Sequence, residues 1–312
     1  MSSFEVCVNA VLPLFIVMGV GYIARCTGVV NRSDVPKLNK IPFRFFMPVM
    51  LFYNIYTSEL STAIQPKLIA YAAVCVLVLY GLSFAYVTAA EKCGSKRGVM
   101  IQGIFRSNFI IMGVPIASQL VQGADLGVVV MLVAVVIPMY NILAVVTLEF
   151  FGSDRPTVGK MLLDIIKNPL IIGIAAGLLA KLAGIKLPTA IESAAEMISN
   201  AASPLALFLL GAFFEFRGIG RYRKQLITVC VGRLVVVPVL FLGASVLLGI
   251  RGVPLAALLA MFGSPTAISS FTMAQQMGGD DVLAGDIVVL TNALSSVTMF
   301  CWALILKSMG MF

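Results

Sequence analysis

This sequence predicts an all-α integral membrane protein of ten transmembrane helices, arranged as two inverted repeats of five. Three observations lead there. Of 312 residues, 60% are hydrophobic and only 12% charged, against roughly 25% charged in soluble domains. Apolar runs recur along the whole chain at lengths near the 20 or so residues that cross a bilayer. Prolines and glycines of the first half reappear in the second at a constant offset of 156 residues, as between Pro13 and Pro169.

The first five spans take residues 8–26, 42–56, 68–90, 98–120 and 126–151. Past a polar connection come 169–183, 189–216, 226–250, 253–277 and 283–307. No basic region precedes the first span, which therefore reads as a retained helix and not a cleaved signal. The second and sixth are short and need their flanks to complete a crossing. The third carries no charge at all. Gly173 and Gly177 in the sixth form a small-xxx-small pair suited to close helix contact. Arg233, in the eighth ahead of Pro238, reads as a structural counter-ion for Glu149 or Glu192.

The fourth span, within GVMIQGIFRSNFIIMGVPIASQLVQG (98–123), is the unusual one. It carries Gln102, Arg106, Ser107 and Asn108, followed by Gly113 and Pro115. Proline removes a donor and clashes one turn back, so the helix should break near 108–115. Broken backbone at membrane depth survives only when buried in protein or beside a water-filled cavity. The ninth span, VPLAALLAMFGSPTAISSFTMAQQM, breaks likewise near 264–270. The 156 offset lays Asn108 over Ser264, Gly21 over Gly177, Arg25 over Lys181, Pro48 over Pro204 and Phe52 over Phe208. The chain therefore divides into a first repeat, 1–151, and a second, 152–312. Five spans per half invert the second repeat. Interrupted helices in corresponding positions mark the binding site of an alternating-access carrier.

Charge then gives orientation and excludes other classes. Fourteen lysines and arginines fall in the loops after spans one, three, five and seven, against five on the opposite side. The positive-inside rule places both termini outside the cytoplasm, in a plasma (bacterial inner) membrane. The net charge of +8 reports this topology and not nucleic-acid binding. Six scattered cysteines form no CxxC pair, and histidine is absent; a metal site or a histidine-based hydrolase is thereby disfavoured. An intramembrane protease fares poorly, since Asp280, Asp281 and Asp286 cluster at one end. No cofactor is expected; a coupling ion, H+ or Na+, is left open.

Five stretches carry a family likeness: LNKIPFRFFMPVMLF (38–52), SNFIIMGVPI (107–116), KNPLIIGIAAGLL (167–179), SPLALFLLG (203–211) and SPTAISSFTMAQQMGGD (264–280). Together they make the chain resemble the auxin efflux carrier family, which includes plant auxin carriers and bacterial permeases of malate or malonate. The resemblance implies the fold shared with bile-acid symporters and sodium/proton antiporters, with helices four and nine crossing at the substrate site. It implies a scaffold of 8–56 and 169–216, usually dimeric, and a transport domain of 68–151 and 226–307. A homodimer through spans two and seven would use Phe45, Phe46, Phe52, Phe208, Phe213 and Phe214. The chain departs from the plant pattern in its uncharged third span, in Ser270 where a second proline stands, and in Arg106.

The chemistry expected at the crossing is anion binding. Helix N-termini offer unpaired N–H groups and partial positive charge to a carboxylate. The candidate ligands are Arg106, Asn108, Pro115, Ser264, Pro265, Thr266, Ser269 and Ser270, with Asn54, Asn141 and Asn292 at the periphery. Arginine at membrane depth costs about 2.5–3.5 kcal/mol on insertion scales. For Arg106 that cost has three readings: capture of a second carboxylate, snorkelling to the cytoplasmic surface, or pairing with a buried acid. A small organic anion fits the first, such as the dicarboxylates malate or malonate. An aromatic monocarboxylate held by Asn108 alone is the alternative, and a membrane sensor or channel the rival class.

Overall fold

The computed structural model describes residues 3–58, 65–121, 127–152, 158–215 and 220–311, and their regular structure is all helical, without strands. The helices are α1 (Ser3–Cys26), α2 (Val35–Leu38), α3 (Met47–Tyr56), α4 (Pro66–Ala90), α5 (Gly94–Phe105), α6 (Val114–Leu120) and α7 (Gly127–Gly152). They continue as α8 (Val158–Lys167), α9 (Pro169–Leu182), α10 (Thr189–Phe213), α11 (Arg223–Leu247), α12 (Gly252–Gly263), α13 (Ser269–Gln276) and α14 (Asp281–Ser308). Among them α4, α7, α10, α11 and α14 are long and apolar enough to cross a membrane. The helix α4, charged only at Lys67 in its first turn, turns Leu77, Val78 and Leu82 outward, each about half exposed. Such an apolar surface belongs against lipid, not water.

Local sequence explains several helix ends. Asn168 caps α9 by accepting the Leu170 N–H, and Asp280 caps α14 by accepting from Leu283, each satisfying a donor that the first turn leaves orphaned. Gly28 and Gly184, offset partners just beyond α1 and α9, both adopt positive φ. Two features go beyond the sequence reading. The polar connection between the halves contains a helix, α8 (Val158–Lys167). Its apolar Leu162, Leu163 and Ile166 are exposed, which suits a helix lying along an interface. The second and eighth spans each contain a wide, π-type turn, Pro42–Phe46 ahead of α3 and Gly232–Val236 inside α11. Pro48 and Pro238 follow these turns by two residues, where the missing N–H is absorbed by the widened backbone.

One half of the molecule is built on glycine contacts between α1 and α10 and between α3 and α9. The Gly21 Cα lies against the Phe208 carbonyl, and Gly177 against that of Phe52. Arg25 donates to the Phe214 carbonyl at 2.7 Å, while Lys181 donates to Ser58 Oγ at 2.8 Å. In each case the partners exchange at the 156-residue offset. Phe213 and Phe214 are buried inside this unit, each 7% exposed, which corrects their assignment to an external dimer face. Phe45 is exposed.

The segments rich in lysine and arginine collect at one end. There Tyr222 donates to Asp280 at 2.8 Å, Gln225 to Glu91 at 2.8 Å and Gln276 to the Pro36 carbonyl at 2.9 Å. Burial and the Asp280 carboxylate push the Tyr222 phenol up to about 12, so it remains a donor.

Candidate functional site

The two interrupted helices meet in the interior. Between α5 and α6 the chain is extended over Arg106–Asn108, then passes through a wide turn, Phe109–Gly113. Between α12 and α13 it is extended from Ser264, with φ −65° and ψ 151°. The first break therefore begins earlier than proline alone predicts. Pro115 sits in the first turn of α6, where its missing N–H costs nothing; its side chain lies outside the described residues. Gly113 lets this turn approach α12: a Cβ there would stand 2.5 Å from the Ala260 carbonyl oxygen.

The breaks hold each other. Asn108 N–H donates to the Pro265 carbonyl at 2.8 Å, and Thr266 Oγ1 to the Gly103 carbonyl at 2.7 Å. Asn292 donates to the Thr266 carbonyl at 3.2 Å and accepts a long bond from the Asn108 amide at 3.5 Å. Ser264 Oγ is taken up by the Ala260 carbonyl at 2.5 Å. Exposed backbone at this depth costs several kcal/mol per unsatisfied group, and these bonds remove much of that cost.

Beside the crossing lies a cavity of about 430 Å³, lined by α1, α3, α7, α10 and the two breaks. Of the candidate residues, Arg106, Asn108, Ser269, Asn54 and Asn141 line it. Ser264, Pro265, Thr266 and Asn292 do not; their polar groups are spent on the crossing itself. Ser270 also stays off the wall but accepts from Arg106 at 3.4 Å.

Arg106 is 2% exposed. Its guanidinium donates to Asn141 Oδ1 and Ser269 Oγ, both at 2.8 Å, and to Met273 Sδ at 2.9 Å. All of these acceptors are neutral. Neither snorkelling nor an acid partner is seen among the described residues, where the one ion pair joins Arg32 to Glu215. Three polar atoms of cavity residues are buried without a hydrogen-bond partner there: Arg106 Nε, Ser107 Oγ and Tyr140 OH. Each can donate. A wall with one cation and idle donors is suited to an acceptor-rich ligand.

Arg233 is placed differently from its sequence reading. It pairs with neither Glu149 nor Glu192 but donates to carbonyls: Ser264 at 2.7 Å, Met261 at 2.9 Å, Ile104 at 3.3 Å and Phe105 at 3.5 Å. Sequence reasoning also missed Ser107 and Tyr140 as cavity residues, and Ser199, Asn200 and Ser203 on α10. The only available signal was the polar run SNAAS (199–203) ahead of Pro204, inside an apolar span.

A family model described as membrane transport protein matches residues 6–303. An uncharacterized transporter of Methanothermobacter thermautotrophicus is 23% identical over 303 residues, 96% of this chain and 98% of that protein. The lysosomal cholesterol signaling protein of Mus musculus is 24% identical over 223 residues, 65% of this chain but 25% of that much longer protein.

Proposed function

Since the chain belongs to the membrane transport protein family, the auxin efflux carriers, we propose that it is a secondary carrier for a small organic anion. The observation that carries this reading is Arg106, a buried cation without an acid partner among the described residues, on the wall of a cavity between helix breaks. Truncating water around an arginine is costly, and an arriving carboxylate would complete its shell with charge-assisted bonds.

Two substrates fit. A dicarboxylate such as malate or malonate would place one carboxylate at Arg106 and the other by Asn108. A single carboxylate on an apolar body would use Arg106 and the idle donors, with its body against Pro13, Leu14, Val17, Met50 and Leu207. The cavity walls are mostly apolar and the described lining holds one charged side chain, which favours the second. A thermal-shift panel of both types on purified protein comes first, because a ligand at 100 times its Kd adds about 2.7 kcal/mol. Counterflow of the stabilising acid in liposomes follows. Binding without counterflow would make the protein a sensor, and flux without saturation a channel.

The exchanged contacts of Gly21 with Gly177 and of Arg25 with Lys181 support two inverted repeats. Alternating access is supported by where the cavity is closed. At the basic end Asn39 donates to Gln275 at 2.8 Å and the Phe213 and Phe271 rings meet at a tilt of 40°, their centroids 5.4 Å apart. Exposed Pro13 and Asn200 border the cavity at mid-helix. With the basic end cytoplasmic, this is the state closed to the cytoplasm. Joining Asn39→Cys to Gln275→Cys with a bifunctional thiol reagent should therefore abolish counterflow, and a cleavable reagent should allow recovery. Undiminished counterflow in the joined protein would refute this gate.

A further inference from the structure

We infer that Arg233, which touches no part of the cavity, fixes the sign of the electric field inside it. The inference rests on reading the cavity as an anion site. The helices α5 and α12 both run inward and end at the crossing, at Phe105 and Gly263. Each carboxyl end carries orphan carbonyls and about half a negative charge. Two such ends meeting in the interior amount to about one negative charge, close behind the place where an anion would sit. Left alone they would cancel the positive N-terminal end of α13 and oppose Arg106.

Arg233 answers both ends with one group. Its Nε and one terminal nitrogen bond the α12 end, through the Ser264 and Met261 carbonyls. The other terminal nitrogen bonds the α5 end, through Ile104 and Phe105. It is 0% exposed and forms no ion pair among the described residues, so its unit charge is balanced by helix ends and not by an acid. The wide turn Gly232–Val236 delivers it there. The Leu234 carbonyl, whose helical donor four residues on would be Pro238 with no N–H, accepts from the indole of Trp302, the chain's single tryptophan, at 3.0 Å. Widened turns of this kind occur preferentially at functional sites. Arg106 and the N–H end of α13 are thus left to dominate the cavity, while Arg233 absorbs the carbonyl ends behind it.

The test measures the field without needing the substrate. In a variant whose native cysteines are replaced, Ser203→Cys places one thiol on the cavity wall. Its modification rates by an anionic and a cationic methanethiosulfonate are compared as a ratio, normalised to free cysteine. With Arg233 intact the anionic reagent should be favoured. Arg233→Gln, which keeps donors but loses the charge, should lower the ratio tenfold or more, as expected for one unit charge at roughly 10 Å and an effective dielectric near 20. Arg233→Lys should hold it within about threefold. If Gln leaves the ratio unchanged in a folded protein, Arg233 is a clamp and nothing more. Should the Gln variant not fold, a Lys variant that folds yet loses the anionic preference overturns the inference equally. A ratio without anionic preference in the parent would instead refute the anion site itself.

Discussion

Arg106→Gln should weaken binding of the best carboxylate by about 10- to 150-fold, the roughly 1.5–3 kcal/mol of a hydrogen bond to a charged group. It should not weaken the fold. The glutamine amide can still donate to Asn141 or Ser269, and losing a buried charge that has no acid partner among the described residues removes its desolvation cost. This split separates a ligand-binding role from a structural one, since a structural arginine would lose both. The pattern across ligands then identifies the substrate class. A loss confined to dicarboxylates supports two-point binding by Arg106 and Asn108. An equal loss for monocarboxylates supports one carboxylate at Arg106. Unchanged affinity for both, with Asn108→Ala impaired, would move the site to Asn108 alone. The measurements are isothermal titration on detergent-purified protein and its melting temperature.

Gly211→Val should destabilise the protein by about 3 kcal/mol, the upper part of the range for overpacking. A Cβ at Gly211 would fall on the Met18 backbone carbonyl, as one at Gly21 would on that of Phe208. Backbone cannot rotate aside as a side chain does, so α1 and α10 would have to separate along their whole contact. The cavity wall would separate with them, because Leu14 and Val17 of α1 face Ser203 and Leu207 of α10 across it. Gly19→Val is the matched control. Nothing stands within 4 Å of a Cβ there, and valine is the slightly better helix former, so this variant should lose no stability and gain at most a few tenths of a kcal/mol. Equal melting temperatures for the two variants would mean that the close approach of α1 and α10 is absent in the membrane.

The sequence by itself determined the class of the protein and the course of its long apolar helices. Hydrocarbon allows only backbone that satisfies itself, so long apolar runs such as 68–90 and 126–151 had one available structure. It also determined that the fourth and ninth spans break, although the first break opens at Arg106–Asn108, ahead of Gly113 and Pro115, which stay helical. Tertiary structure decided what each polar group at the breaks does. Ser264 and Thr266 looked like ligands in the sequence, but their hydroxyls are spent on the Ala260 and Gly103 carbonyls. Tyr140 carried no signal in its apolar span, yet it lines the cavity and its hydroxyl is buried without a partner among the described residues. Arg233 looked like a counter-ion for a glutamate and is instead bonded to backbone carbonyls of two helix ends, up to 129 residues away in the chain. A carbonyl belongs to every residue type, so no side-chain pattern announces which carbonyls will be orphaned together. Only the packing of two half-helices end to end created that demand and placed Arg233 where it meets it.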